Sequence, residues 1–303
     1  MKKPGYVKLM QNGQLEGRVL RLKSMLKDCV LCPHQCRVDR TRGRRGYCRT
    51  LDKAVVSGAE AHFGEEKELV GAHGSGTIFF SFCNLACVFC QNYRISHCGI
   101  GREVAVEELA DMMIGLQARK CHNINLVSPG HVVPQVVEAV FLAAKKGLTI
   151  PIVYNTNGYD LTDTLKLLEG IVDIYMPDIK FSDDENAQKY LGVKNYYSIA
   201  KNAVKEMYRQ VGDLLTDERG IAYRGLLVRH LVMPGNIAGT GEIMRFIAEE
   251  ISKGTYVNIM AQYYPAHRAY EFEELKRGIT NHEFSKAVQT ARAAGLNNIK
   301  AFD

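Results

Sequence analysis

An apolar run leads directly into three cysteines in the segment Thr77-Ile78-Phe79-Phe80-Ser81-Phe82-Cys83-Asn84-Leu85-Ala86-Cys87-Val88-Phe89-Cys90. The run from Thr77 to Phe82 is short, apolar and aromatic, which is typical of a buried β-strand. The cysteines that follow have the spacing C-x3-C-x2-C. Because cysteines grouped in a reduced protein usually bind metal, the segment predicts a metal-binding loop at the end of a strand.

The number of cysteines in this loop indicates what it binds. Three thiolates can coordinate three irons of a cubane [4Fe-4S] cluster, and soft sulfur ligands also suit zinc. A structural zinc site normally has four protein ligands, whereas three thiolates leave one iron of a cubane free to bind another molecule. The count therefore favours the cluster, and zinc stays an alternative because His97 or Cys98 could supply a fourth ligand.

Short apolar runs alternate with helical patterns along the chain beyond about residue 70. Six strands are predicted, at 77–82, 123–127, 150–155, 172–176, 226–233 and 255–260. Helices are predicted near 106–119, 134–146, 162–168, 197–211 and 241–252. Such alternation is typical of parallel strands joined by right-handed crossovers, with the site formed by loops at the carboxyl ends of the strands. The fold class is therefore α/β, and six units favour a partial (β/α)6 barrel over a doubly wound sheet.

Charge and cysteine content divide the chain into three predicted regions. The net charge is +6, but residues 1–50 alone carry thirteen Lys and Arg against three acidic residues, so the rest of the chain is acidic. This asymmetry predicts a basic, Cys-rich N-terminal module over residues 1–72, with a helix near 17–26 followed by an irregular loop. The barrel core is expected at 73–265, and a helical extension with a break before Thr280 at 266–303.

Composition excludes several classes of protein. The chain has 303 residues, of which 46% are hydrophobic and 24% charged, so it is neither a disordered tail nor a small disulfide-stabilised domain. No apolar run approaches the roughly 18 residues of a membrane helix, and residues 1–10 lack the apolar centre of a secretory signal. We expect a cytoplasmic protein that does not interact with membranes.

Four further cysteines, Cys29, Cys32, Cys36 and Cys48, lie in the N-terminal module. Four thiolates are enough for a tetrahedral zinc site or for a second iron–sulfur cluster, and the sequence leaves both open, with four free thiols as the third option. The Arg-rich loop 37–49 around them is a solvated face, a binding site for an acidic protein such as flavodoxin or a macromolecular substrate, or a nucleic-acid site. Nucleic acid is the least favoured of these because the loop lacks interleaved stacking aromatics.

The cysteine triplet, with the aromatic Phe89 before its last cysteine, resembles the signature of the radical SAM enzymes. Within that family the chain is similar to pyruvate formate-lyase activating enzyme. The resemblance implies a [4Fe-4S] cluster on Cys83, Cys87 and Cys90, whose free iron binds S-adenosylmethionine (SAM). It also implies an oxidoreductase in which an electron, from a donor such as flavodoxin or ferredoxin, cleaves SAM to a 5′-deoxyadenosyl radical that abstracts a hydrogen atom.

Motifs at later strand ends extend the resemblance. Ser128-Pro129-Gly130-His131 stands where the family has Gly-Gly-Glu for the SAM amino group, although His131 could simply begin the helix at Pro134. Asn155-Thr156-Asn157-Gly158 and Met176-Pro177-Asp178-Ile179-Lys180 are similar to segments that contact SAM and can hold a monovalent cation. The SAM contacts implied by the resemblance are Phe89, Ser128, Gly130, His131, Asn155, Asp178, Lys180, Arg229 and Gln262.

The resemblance implies a glycyl-radical activating function, in which the hydrogen comes from a glycine of a partner protein. A radical SAM enzyme acting on another peptide, a nucleotide or a small molecule is the close alternative. Outside this class, a zinc-stabilised nucleic-acid-binding protein and a two-cluster electron carrier are the other interpretations.

Overall fold

The computed structural model describes residues 3–302, which form an open α/β sheet covered by helices. The strands of this region are β1 (Ala54–His62), β2 (Ser75–Phe80), β3 (Arg102–Val104), β4 (Ile124–Val127), β5 (Ile152–Thr156), β6 (Ile174–Pro177), β7 (Leu215–Thr216), β8 (Ala222–Leu231), β9 (Tyr256–Met260) and β10 (Ile299–Phe302). Its helices are α1 (Gly5–Gln11), α2 (Gln14–Ser24), α3 (Lys67–Val70), α4 (Tyr93–Ser96), α5 (Val106–Ala118), α6 (Val133–Lys145), α7 (Thr162–Leu167), α8 (Asp184–Leu191), α9 (Tyr196–Val211), α10 (Thr240–Phe246) and α11 (Asn281–Ala293).

The six predicted strands correspond to β2, β4, β5, β6, β8 and β9, which lie side by side and parallel in that order. The sheet does not close, because β3 and β10 form its two free edges. The predicted α/β fold with an open, partial barrel is therefore confirmed. The predicted start of the last helix is also confirmed, since Thr280 caps α11 in a capping box with Glu283.

Four strands were absent from the prediction, namely β1, β3, β7 and β10. β1 pairs antiparallel with both β2 and β3, in a region predicted to be irregular, and β10 adds a parallel strand beside β9 at a tail predicted to be helical. β1 contains glycine, serine and glutamate and is buried at only some positions, so it lacks the apolar run by which the buried strands were recognised. The helices α1, α3, α4 and α8 were also absent from the prediction.

A segment that we call the strap, residues 63–70, connects β1 to β2 across one face of the sheet. The strand register places Asn125, Asn155, Arg229 and Asn258 on this same face, and each of them hydrogen-bonds a glutamate of the strap. Leu69 of the strap is fully buried in an apolar cluster with residues of β5, β6, β8 and β9. The strap thus ties β1 to strands on the far side of the half-barrel.

The N-terminal helices α1 and α2 pack against α6, and the Tyr6 hydroxyl donates to the Ile150 carbonyl at 2.8 Å. Within residues 3–302 the structure has no helix with the length and apolar character needed to span a bilayer.

Candidate active site at the carboxyl ends of the strands

A cavity of about 560 Å³ lies at the carboxyl ends of the parallel strands. Eight of the residues predicted from the sequence line it: Cys87, Phe89, Cys90, Asn155, Asp178, Lys180, Arg229 and Gln262. They come from the loop after β2 and from the ends of β5, β6, β8 and β9. Residues up to 175 positions apart in sequence are therefore brought to one cavity, at the position expected for the site of a parallel α/β fold.

The cysteine loop begins with a sharp change of direction after β2. Phe82 has φ of +67°, a left-handed conformation that is costly for a non-glycine residue and is found mostly where the surroundings enforce it. Gly99 lies against its ring: a Cβ built on Gly99 would be 2.4 Å from the aromatic carbons. The guanidinium of Arg49 lies 4.9 Å from the centroid of the same ring. The turn that aims Cys83 is thus fixed from both sides.

Cys87 of the loop is buried, Cys83 and Cys90 are partly buried, and the sulfurs of Cys83 and Cys90 have hydrogen-bond partners. The Asn157 side-chain amide donates to Cys83 Sγ at 3.2 Å, and the Leu85 backbone amide lies 3.4 Å from the same sulfur. Cys90 Sγ is 3.1 Å from Ser96 Oγ. Burial raises the pKa of Cys83 to about 11, and burial also raises the pKa of Cys87. Metal binding would therefore displace protons, and the N–H donors are suited to stabilise the thiolates that result.

These residues fit a [4Fe-4S] cluster in number, type and environment. The three thiols are soft ligands, two of them line the cavity, and the cationic Lys180 lies within electrostatic range of Cys83 and Cys87. Across residues 3–302, no three His, Cys, Asp or Glu side chains are arranged to hold a single metal ion. A cubane, by contrast, takes each of its thiolates on a different iron.

A chain of four charged side chains crosses the cavity. Arg229 Nε donates to Asp178 Oδ1 at 2.9 Å, and its Nη1 donates to Glu65 Oε2 at 3.1 Å. Lys180 Nζ donates to the other oxygen of Asp178 at 2.7 Å. Arg229 Nη2 also donates to Asn155 Oδ1 at 2.7 Å. Two cations and two carboxylates therefore alternate along the cavity, and each of the four side chains is at most 17% exposed.

The two carboxylates respond differently to the same arginine. Burial favours the neutral form of Asp178, but Arg229 and Lys180 together hold its pKa below the ordinary value. Burial of Glu65 outweighs the single cation beside it and raises its pKa. Asp178 is thus the more firmly ionised carboxylate of the cavity, because it has two cationic partners and Glu65 has one.

The predicted segment Ser128-Pro129-Gly130-His131 lies outside the residues that line this cavity. Its backbone forms a tight turn, with Ser128 at φ +56°. The His131 ring is buried, with Nε2 2.9 Å from the Ser81 carbonyl oxygen, and burial lowers its pKa to about 4. The contact of this segment with SAM stays a prediction; in the structure it supports the strand that leads into the cysteine loop.

Glu65 is the main site residue that sequence reasoning missed. It lies 164 positions before its partner Arg229, on a strap that follows an unrecognised strand, so no local spacing indicated it. The same strap separates the cavity from a second one of about 520 Å³, and both are lined by Gly64, Glu65, Arg229, Met260 and Gln262.

The N-terminal cysteines are also close to one another. Cys29, Cys32 and Cys48 are buried and Cys36 is partly exposed. Burial raises the pKa of Cys32, and the thiols of Cys48, Cys29 and Cys36 raise it further, which places each of these three within electrostatic range of Cys32. The structure thus brings together the four residues that the sequence singled out.

Part of the chain matches a known protein family, and the chain is similar to a curated protein and to several solved structures. The family model described as the radical SAM superfamily matches residues 77–218. The uncharacterized protein MJ0674 of Methanocaldococcus jannaschii is 32% identical over 293 residues, which cover 94% of this chain and 80% of that protein. Among solved structures, TYW1 with a lysine-pyruvate adduct bound is 13% identical with a TM-score of 0.43, over 76% of this chain and 75% of that one. Methylornithine synthase (PylB) is 18% identical with a TM-score of 0.46, over 73% and 68%.

Proposed function

We propose that this chain is a radical SAM enzyme in which Cys83, Cys87 and Cys90 hold a [4Fe-4S] cluster and SAM binds beside it in the cavity, since the radical SAM superfamily model matches residues 77–218. The observation that carries this assignment is the convergence of two cluster thiols with Asn155, Asp178, Lys180 and Arg229 on one cavity. Its volume of about 560 Å³ lies within the range of roughly 300–1,000 Å³ found for small-molecule sites. When bound, the cluster supplies the electron that cleaves SAM reductively.

The charged side chains of the cavity suit the charges of SAM, which carries a carboxylate, an ammonium and a sulfonium. Lys180 and Arg229 are placed to attract the carboxylate, and Asp178 and Glu65 to attract the cationic groups. Both oxygens of Asp178 already accept hydrogen bonds from cations, so a monovalent cation beside it would compete with them. We therefore assign these four residues to SAM, and leave the cation as a prediction.

The finer proposal is that the enzyme removes a hydrogen atom from a peptide glycine, as an activating enzyme does. Two features support it. The strand-end segments at Asn155 and Asp178 are similar to those of the activating enzymes, and both lie in the cavity. The second cavity beyond the strap adjoins the first, which offers room for an extended substrate next to SAM.

The assignment to SAM chemistry is tested on anaerobically reconstituted protein by iron, sulfide and zinc analysis and by electron paramagnetic resonance (EPR). We expect at least about four irons per chain and a signal of the reduced protein that changes when SAM is added. Zinc without iron at both cysteine groups would instead support the nucleic-acid-binding alternative, which also predicts an affinity that falls steeply with salt.

The glycyl-radical proposal needs a separate experiment. Reduced enzyme and SAM are incubated with candidate glycyl-radical proteins, and EPR is recorded for an organic radical. A radical that is lost when the acceptor glycine is replaced by alanine would support the proposal. SAM cleavage without an organic radical on any candidate would favour another peptide, a nucleotide or a small molecule as substrate.

A further inference from the structure

A buried cation, Arg40, lies beside Cys29 of the N-terminal cysteine group, and no carboxylate within residues 3–302 pairs with it. Arg40 is 1% exposed, and its guanidinium donates to the backbone carbonyls of Leu51 and His131. Its side-chain partner is Cys29, whose sulfur lies 3.9 Å from Nη1. Because a buried charge without a counter-charge is costly, the Arg40 guanidinium would be stabilised by a thiolate at Cys29. Metal binding would supply that thiolate.

Backbone amides around these cysteines donate hydrogen bonds to their sulfurs. The Tyr47 amide donates to Cys36 Sγ at 3.3 Å, and the His34 amide donates to Cys32. A Cβ on Gly46 would lie 2.7 Å from Cys36 Sγ, so a residue with a side chain at this position would clash with the sulfur. Gln35 and Arg37 have φ of +39° and +50°, which turns the chain tightly between its ligand cysteines. Two of the sulfurs therefore already have backbone hydrogen-bond donors in the folded protein.

Two side chains of this site reach the cysteine loop of the cavity. His34 Nε2 is 2.8 Å from the carbonyl oxygen of Asn84, the residue after Cys83. The His34 ring stacks on Tyr47 with centroids 3.7 Å apart. A Cβ on Gly192 would lie 3.4 Å from the Tyr47 hydroxyl and 3.4 Å from Ala86 of the cysteine loop. Tyr47 thus contacts Cys36 through its backbone, and its hydroxyl lies within electrostatic range of Cys83 and Cys87.

The outer surface of the same site is cationic. Five arginines of the segment that contains the partly exposed Cys36 are exposed: Arg37, Arg42, Arg44, Arg45 and Arg49. Arg37 and Arg42 have acidic neighbours, Asp28 and Asp39, while Arg44 and Arg45 leave positive charge facing solvent. A surface of this sign attracts an acidic protein and accelerates its association.

We propose that Cys29, Cys32, Cys36 and Cys48 hold a second, redox-active iron–sulfur cluster that receives electrons from an acidic reductase-type donor and passes them to the Cys83 loop through His34 and Tyr47. This rests on the proposed SAM chemistry, which consumes the electron. Each transfer moves one electron: the donor is oxidised by one electron as the N-terminal cluster is reduced, and that cluster is reoxidised as the cluster at Cys83, Cys87 and Cys90 is reduced. No bond is made or broken in these two transfers.

The site is tested first in a variant with the other cluster removed, C83S/C87S/C90S, purified and reconstituted anaerobically. We expect about four irons per chain and an EPR signal on reduction that does not respond to SAM. One zinc per chain with no signal, or no metal at all, overturns the proposal. Because this readout does not involve SAM, it stays valid even if the assignment of the cavity fails.

The electron route is tested in the otherwise intact enzyme by C36S, with C98S, a substitution of an exposed cysteine outside both groups, as the matched control. Formation of 5′-deoxyadenosine is measured with reduced flavodoxin and, separately, with dithionite. We expect C36S to slow the flavodoxin reaction at least about tenfold more than the dithionite reaction, and C98S to change neither. Equal slowing with both reductants overturns the route.

If C36S does not fold, the charge reversal R44E/R45E tests the docking surface instead. Both residues are exposed, so we expect this variant to fold. We expect it to raise the flavodoxin concentration for half-maximal rate by about tenfold, with less effect at high salt and none with dithionite. No change with flavodoxin at low salt overturns the docking surface.

Discussion

The two cysteine groups of this protein place similar thiols in different surroundings. The triplet Cys83, Cys87 and Cys90 opens into a cavity lined by four charged residues, and the cations there are paired with carboxylates. In the N-terminal group the buried guanidinium of Arg40 lies beside Cys29, and within residues 3–302 it has no carboxylate partner. A site with three ligands and a cavity can bind and transform a molecule, whereas a closed site of four ligands can support structure or transfer electrons. The surroundings of the ligands distinguish these roles more clearly than the ligands themselves.

The largest expected effect is on catalysis, from a change confined to the open group. C87S removes one of three ligands, and we expect 5′-deoxyadenosine formation to fall at least about 100-fold because every turnover depends on the cluster. Product is measured by chromatography after anaerobic incubation with SAM and dithionite. Iron content separates the two groups: the variant should lose the iron of one cluster and keep that of the N-terminal site. Activity close to that of C98S would contradict the ligand assignment.

The paired cations of the cavity give the next largest effect. R229Q leaves Glu65 and Asp178 buried with Lys180 as their remaining cation, so we expect it to destabilise the protein by about 3–5 kcal/mol. E65Q should cost much less, because Arg229 keeps Asp178 as a partner and the pKa of Glu65 is already raised by burial. Denaturant unfolding of the two variants makes the comparison. Equal destabilisation would show that Glu65 matters as much as Asp178 for holding Arg229.

The unpaired cation of the closed group should behave differently. R40M keeps much of the side-chain volume but removes three hydrogen bonds to backbone carbonyls and the positive charge beside Cys29. We expect a loss of about 2–3 kcal/mol, as for charged hydrogen bonds, and a lower reduction potential of the N-terminal cluster. Potentiometric EPR titration measures the second effect. An unchanged potential would mean that Arg40 serves packing alone.

The sequence predicted the parallel strands and the cysteine loop, but it did not predict β1 or the strap. The parallel strands were recognisable because burial on both faces makes each an apolar run, and the cysteine loop because it directly follows one. β1 gave no such signal, because it is antiparallel, lies near the edge and mixes glycine and polar residues with apolar ones. Glu65 was not predicted because it follows β1 directly. Its position in the cavity depends on a hydrogen bond with Arg229, 164 residues away, and such a contact leaves no local sequence pattern. The mutual contact of the two cysteine groups through His34 was equally invisible, since it depends on how the module packs on the barrel.

The smallest expected effect lies where the two groups meet and is a dependence of stability on pH. The loop 157–161 contacts Cys83 through Asn157, and its Tyr159 ring lies 5.6 Å from His34. In this loop Asp160 is buried, accepts hydrogen bonds from Tyr154 and Thr156, and has its pKa raised by burial from 3.8 to about 6.

An acid whose folded pKa is raised favours folding while both states are protonated, below about pH 4, and this contribution is lost as the pH rises through about 6. We expect D160N to remove this pH-dependent contribution to the free energy of unfolding. The stability of D160N relative to the parent should therefore rise between pH 4 and 7 by on the order of 2 kcal/mol. Thermal unfolding at several pH values, with D163N as an exposed control, measures the difference. A parallel pH profile for D160N and the parent would mean that Tyr154 and Thr156 keep Asp160 ionised despite its burial, and that the junction between the two cysteine groups tolerates a buried negative charge.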